Sequence, residues 1–167
     1  IWAPDVYQGA PAPVTAFLAI GSKAAGVVLL MRIVHASASA HEALLWPLLP
    51  WLAATTIAYG SLCAIRQRNL KRLLGLSGVA HAGYLLVAVL ASMEFVGDAD
   101  QAVWVVIFYL FVYLLAIFAI FGVMGLANVP DDAEHEFAHY EALGTKNPFL
   151  AFVLACAVCS LAGVPPF

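Results

Sequence analysis

Hydrophobic positions in this chain come in long unbroken runs rather than in alternating or one-sided patterns. The first run extends from about Pro13 to Ile33 and the second from about Leu44 to Ile65. The third covers about Leu73 to Met93, and the fourth, without a single charge, about Ala102 to Leu126. The fifth begins near Pro148 and is still apolar at Phe167. A bilayer core takes about 20 apolar residues of helix, and each complete run reaches that length. A helix that is apolar all round belongs in lipid or deep inside a bundle. The pattern therefore predicts an all-α membrane protein, a transmembrane helix bundle. Residues 1–167 form part of one transmembrane domain, with helices at about 13–33, 44–65, 73–93, 102–126 and 148–167, the last one truncated.

The polar segments between the runs set the orientation. "IRQRNLKR" carries Arg66, Arg68, Lys71 and Arg72 in a short loop, and an excess of Lys and Arg marks a cytoplasmic loop. Alternation then places residues 1–12 and the 129–147 loop on the same side. The loops near His35–Glu42 and Glu94–Asp100 face the other side. Arg32, at the outer end of the first helix, is placed to snorkel to the headgroups. Trp46, Trp51 and Trp104 fall near helix ends, where interfacial aromatics sit.

Composition fits the same picture. Hydrophobic residues make up 64% of the 167, charged residues 10%, and the mean hydropathy is +0.95. There is no basic face to meet phosphates, so nucleic acid is not a partner; the lipid bilayer is. Cys63, Cys156 and Cys159 all lie in apolar runs and suggest no disulfide framework. The chain opens at Ile1 without a signal-peptide pattern and closes on "SLAGVPPF" with its apolar run unfinished. It reads as an internal segment of a longer membrane protein.

Two residues break the apolar pattern from within. Lys23, in "AIGSKAAG", lies about ten residues from either end of its run, with roughly 15 Å of helix on each side at 1.5 Å per residue. A lysine at that depth costs roughly 2.5–3.5 kcal/mol on insertion scales. It serves either as a structural anchor bonded to carbonyls of a neighbouring helix or as part of a proton or ion pathway, where intramembrane ionisable groups concentrate. Ser22, Gly21 and Gly26 beside it leave room for water. His81, in "SGVAHAGY", lies near the middle of the third run. Histidine is the side chain best suited to shuttling protons near neutrality, and a second titratable group at matching depth strengthens the relay reading for both.

Three further motifs carry less. "HEFAH", His135 to His139, matches the H-E-x-x-H spacing that puts two zinc-ligating histidines on one helix face. Here it lies in an acidic linker with no apolar helix to support it, so no metal is expected. "CAVC", Cys156 to Cys159, lies within an apolar run without a companion pair, and reads as packing. "GVPPF" breaks a helix, which a membrane tolerates where the broken helix lines a cavity or meets protein. That makes the fifth helix a candidate for the discontinuous helix of a transporter.

Taken together, these residues resemble a known family. "WAPDVYQGAPAPVTAFLAIGSKAAG", "RQRNLKRLLGLSGVAHAGYLL" and "FLAFVLACAVCSLAGVPPF" resemble the eighth, tenth and twelfth helix regions of the antiporter-like subunit N family of bacterial NADH–quinone oxidoreductase, respiratory complex I. The similarity spans nearly the whole chain in the family's order, and "APDVYQGAP" favours this family over its paralogues M and L. The resemblance implies an inverted-repeat antiporter-like bundle and a buried polar axis that moves protons. It maps the family's eighth-helix lysine onto Lys23 and its tenth-helix histidine onto His81. Ser22, Ser77, Tyr84, Tyr109 and Tyr113 would support that relay. Two departures stand out: Leu76, Ser77 and Gly78 replace the family's frequent "YSS", and the fourth run lacks the small and polar residues common there, leaving Tyr109 and Tyr113 as its main polar groups.

The function this implies is a proton-translocating subunit in a bacterial inner membrane, multi-pass, with other membrane subunits as partners. Lys23 would hold a proton at mid-membrane, a neighbouring charge would release it, and water and His81 would pass it on. No cofactor is expected in this chain; NADH, FMN, iron–sulfur clusters and quinone belong in or with partner subunits. The nearest rival is a subunit of a cation/proton antiporter or membrane-bound hydrogenase complex. More distant ones are an intramembrane zinc protease using "HEFAH" and a purely structural membrane subunit with Lys23 and His81 as packing anchors.

Overall fold

The computed structural model describes residues 2–36, 38–94, 99–127 and 135–163. Side chains at 35, 38–46, 93–94 and 99–102 also lie outside the described set, Trp46 among them. The described backbone is helical almost throughout. Helix α1 (Ala3–Gly9) is short and starts on Pro4, which fits the first turn because its missing N–H would be unpaired there anyway. Four long helices follow: α2 (Ala12–Ala36), α3 (Ala38–Ala64), α4 (Leu70–Glu94) and α5 (Ala99–Leu126). A 3₁₀ turn (Phe137–Tyr140), a single helical turn α6 (Leu143–Lys146) and α7 (Pro148–Leu161) complete the chain.

The helices outrun the apolar runs at several ends. The loop expected near His35–Glu42 is helical on both sides of residue 37. That segment is polar but contains neither Gly nor Pro between Gly26 and Pro47, and Ala, Ser and Glu do not break helices. Hydropathy marks where lipid ends, not where a helix ends. Similarly, α4 begins at Leu70 and takes Lys71 and Arg72 out of the expected loop. Asn69 caps it: its Oδ1 accepts the Arg72 N–H at 3.2 Å. Helix α7 stops earlier than the expected 148–167. It ends at Leu161, and Gly163 takes φ +80°, the left-handed conformation of a helix cap. Residues 164–167, with the paired prolines, lie outside the described set, as do the centre of the Glu94–Asp100 loop and residues 128–134.

Helix α4 is the hub. It packs against α1, α2, α3 and α5, while α7 packs on α5. The α3–α4 contact is close because Gly60 offers no side chain: a Cβ there would fall 2.6 Å from the Ala80 nitrogen. Close approach at small residues is how helices associate in lipid. Three described helices are long and apolar enough to cross a membrane: Ala12–Val34, Leu70–Ser92 and Val103–Leu126.

Two apolar clusters divide the bundle along its length. One gathers Ala12, Ala16 and Ile20 of α2, Leu70 and Leu74 of α4, and Tyr113, Ile117, Ile120 and Met124 of α5. The other gathers Met31 and Val34 of α2, Leu49 of α3, Leu85 and Val89 of α4, and Val106 of α5. Cluster membership shows the run of the chain: α2 and α4 go one way, α5 the other. On each of these three helices the stretch between the clusters includes a polar side chain: Lys23, His81 and Tyr109.

Candidate functional site

That belt between the clusters holds Lys23 of α2, His81 of α4 and Tyr109 of α5, with Tyr113 of α5, a member of the first cluster, at its edge. Lys23 is half-buried. Its Nζ donates to Tyr113 Oη at 2.5 Å and lies 4.5 Å from the centre of the Tyr113 ring, so one residue offers it both a hydrogen bond and a cation–π contact. Tyr113 is itself buried, and its ring centre is 5.0 Å from that of His81. His81, also buried, is hydrogen-bonded through Nδ1 to Tyr109 Oη. Tyr109 and Tyr113 are one turn apart on α5 and therefore share a face. Tyr84, one turn beyond His81 on α4, meets the imidazole edge-on at 5.7 Å and is partly exposed.

The arrangement is a contiguous row: ammonium, phenol, imidazole, phenol. Lys23 is joined to Tyr113 and His81 to Tyr109 by hydrogen bonds, and the two pairs meet through the Tyr113 and His81 rings. His81, Tyr109 and Tyr113 also line one wall of a cavity of about 820 Å³ between α5 and α7, faced by Phe152, Cys156 and Ser160.

Two residues read from the sequence as possible relay support take no part in these hydrogen bonds. Ser22 Oγ donates to the Leu18 carbonyl at 2.7 Å on the exposed side of α2, because neighbours in sequence on a helix point in different directions. Ser77 is half-buried one turn before His81 and takes no part in the hydrogen bonds of the row. Nor do Gly21 and Gly26 make the space around the ammonium; Gly26 faces open space, and the residue beneath Lys23 Nζ is Gly78 of α4.

"HEFAH" forms no helical zinc face. His135 is buried, its Nδ1 shares a hydrogen bond with Tyr140 Oη at 2.5 Å, and its carbonyl accepts the Leu70 N–H at 2.7 Å. His139 lies in the 3₁₀ turn with its side chain exposed. Among the described residues no group of three His, Cys, Asp or Glu is placed to hold a metal ion. The thiols of Cys63, Cys156 and Cys159 are free.

A second polar region, which sequence reasoning missed, closes one end of the bundle. Lys71 is fully buried and donates to the Ala10 carbonyl at 2.9 Å. Arg72 reaches α1, pairing with Asp5 at 3.1 Å and donating to Gln8 at 3.2 Å. Phe137 N–H donates to the Arg68 carbonyl at 3.3 Å, and Asn69 bridges Glu136. Burial pushes the Tyr7 hydroxyl of α1 up to about 12, so it stays protonated. Thus α1, the α3–α4 connection and the segment after α5 meet at one end. The signal for this was present in Asn69 before an apolar run, a helix-start mark.

Comparison with known proteins agrees with this architecture. Residues 1–167 match the family described as NADH:quinone oxidoreductase/Mrp antiporter, TM. NADH-quinone oxidoreductase subunit N 1 of Opitutus terrae is 52% identical over 99% of the chain and 32% of its own length. Subunit N of Ectopseudomonas mendocina is 44% identical, over 99% and 33%. Subunit N 2 of Roseiflexus castenholzii is 41% identical, over 99% and 34%. The chain spans about a third of the length of the curated relatives it matches. With the full-length family match, relatives named as subunit N and three helices fit to cross a bilayer, the chain is a membrane protein that belongs to the NADH:quinone oxidoreductase/Mrp antiporter transmembrane family.

Proposed function

We propose that this chain forms part of a proton-translocating subunit of a bacterial NADH–quinone oxidoreductase, and that Lys23, Tyr113, His81 and Tyr109 carry the proton. The observation that supports this reading most directly is the Lys23 Nζ–Tyr113 Oη hydrogen bond, set against His81 between two apolar clusters. A lysine that served only as an anchor would be satisfied by a backbone carbonyl. Lys23 is bonded instead to a group that can itself relay a proton. In the working cycle the ammonium gives its proton along the row when a neighbouring charge changes, and is refilled from the other side. Compared with a path of water and His81 alone, Tyr113 supplies a fixed bridge.

The electron carriers fall outside this reading of the chain: NADH, FMN, iron–sulfur clusters and quinone would be held in or with partner subunits. Other membrane subunits of the complex are the partners, and the bacterial inner membrane is the site, crossed several times. The end bearing Arg66, Arg68, Lys71 and Arg72 faces the cytoplasm. Cysteine labelling in intact cells is expected to leave a probe at Arg68 unreactive and to mark one at Asp98; the reverse pattern overturns this orientation.

The family's description also names Mrp antiporters, and the same row would serve a cation/proton antiporter. Membrane vesicles carrying the full-length subunit in its complex separate the two. NADH-driven proton uptake that Lys23→Ala abolishes supports the oxidoreductase reading. Uptake that needs a sodium gradient and ignores NADH supports the antiporter. Proton uptake unchanged in Lys23→Ala removes the relay from both.

A further inference from the structure

The ammonium of Lys23 lies directly over the backbone of α4, and one residue makes that possible. Gly78 is buried on the face of α4 that carries His81 three residues later. A Cβ at Gly78 would fall 2.5 Å from Lys23 Nζ, 3.5 Å from Lys23 Cε and 3.2 Å from Tyr113 Oη. The first distance is not physically tolerable, and the third is tight. In this chain, where the family frequently has serine, a side chain at 78 would fall at the place where the Lys23 ammonium and the Tyr113 phenol meet.

We propose that Gly78 is a positioning residue: its missing side chain is the clearance through which Lys23 reaches Tyr113. This rests on the relay reading and deepens it. The lysine tip is flexible, so an added methyl group does not have to push the helices apart. It displaces Nζ, which loses its hydroxyl partner on Tyr113. Helix propensity opposes a glycine at this position, since Ala is the better helix former in a helix interior. An alanine would strengthen α4 locally while breaking the contact. Loss of function in a better helix former is what separates clearance from ordinary helix stability.

The test uses the full-length subunit in its assembled complex, with Gly78→Ala made alone and with Lys23→Ala. Assembly is read on native gels, and NADH-driven proton uptake in vesicles is read across pH. Gly78→Ala is expected to assemble normally, to lower uptake about tenfold (1.36 kcal/mol of barrier) and to displace the pH profile, because the ammonium has changed its surroundings. If Gly78→Ala fails to assemble but the double variant assembles, the obstruction is with Lys23 and the proposal stands. If both fail to assemble, Gly78 serves helix packing and the proposal falls. Wild-type uptake with an unchanged profile in Gly78→Ala also overturns it, as does a lower rate with no displacement of the profile. Wild-type uptake in Lys23→Ala defeats the relay reading itself, a result distinct from each of these.

Discussion

Lys71 and Lys23 are both withdrawn from water, but they are held in different ways. Lys71, in the first turn of α4 at the closed end, donates to the Ala10 carbonyl. Lys23, in the middle of α2, donates to the Tyr113 hydroxyl. A carbonyl only accepts, so its bond to an ammonium ties two segments together and goes no further. A phenol accepts and also has a proton to donate, and the Tyr113 ring lies 5.0 Å from that of His81. Their settings differ in the same sense. Near Lys71 the polar groups join elements: Arg72 to Asp5 and Gln8, Arg68 to Phe137, Leu70 to His135. Around Lys23 apolar clusters lie on either side, and the polar side chains bond mainly to one another. Burial of a lysine therefore does not by itself point to a relay; under the proposed function the chemistry of its partner does.

The largest expected effect separates the two lysines directly. In the full-length subunit, Lys23→Ala is expected to lower NADH-driven proton uptake by about a hundredfold, the lower range of what a positioned proton donor contributes, with assembly near normal. Lys23→Arg is expected to recover little, because guanidinium keeps its proton. Vesicle uptake rates beside native-gel yields check both; an unassembled Lys23→Ala complex would make Lys23 an anchor like Lys71.

Tyr113→Phe sharpens the comparison at the partner. The ring stays under the ammonium and the hydroxyl is lost, so uptake is expected to fall about tenfold while assembly holds, an effect of about 1.4 kcal/mol on the barrier. His81→Ala is expected to be milder, since water fills the gap it leaves. A Tyr113→Phe variant that pumps at the wild-type rate would show that the ring alone suffices.

Lys71→Met is expected to behave in the opposite way. It keeps most of the buried volume but leaves the Ala10 carbonyl without its ammonium, at a cost of about 1–3 kcal/mol. The measurement is the thermal midpoint of the complex, expected to fall while pumping per assembled complex stays unchanged. Impaired pumping at normal stability would erase the distinction between the two lysines.

The smallest effects are expected at the exposed edge of the closed end. Asp5→Asn weakens a pair in which both side chains are substantially solvated, and such pairs contribute about 0–1 kcal/mol. His139→Ala, on an exposed side chain, is expected to change neither assembly nor quinone reduction. Loss of stoichiometric zinc together with activity in His139→Ala would instead revive the metal reading of "HEFAH".

Much of the bundle is legible in the sequence, and its residues show why. Runs long enough to cross a bilayer announce α2, α4 and α5, since lipid demands unbroken apolar helix. Lys23 and His81 stand out because an ionisable group at that depth carries a cost that needs a reason. Tyr109 and Tyr113 were visible as the polar exceptions in the fourth run. By contrast, the 35–42 segment looked like a loop because it is polar, although the described backbone on either side of residue 37 is helical. Ser22 read as possible support for the relay because it adjoins Lys23; its hydroxyl is bonded to the Leu18 carbonyl on the exposed side of α2.

By itself, then, the sequence determined the membrane environment, the principal helices and the position of the titratable groups along them. Those follow from local composition, which each segment carries with it. Only the tertiary structure decided which groups meet: that Lys23 faces Tyr113, 90 residues away, that Gly78 opens the space between them, and that Lys71 is an anchor rather than a loop charge. Such contacts depend on the rotation and axial offset of whole helices. Those are set by packing summed along their length, through close approaches such as Gly60 against Ala80, and no short stretch of sequence contains them.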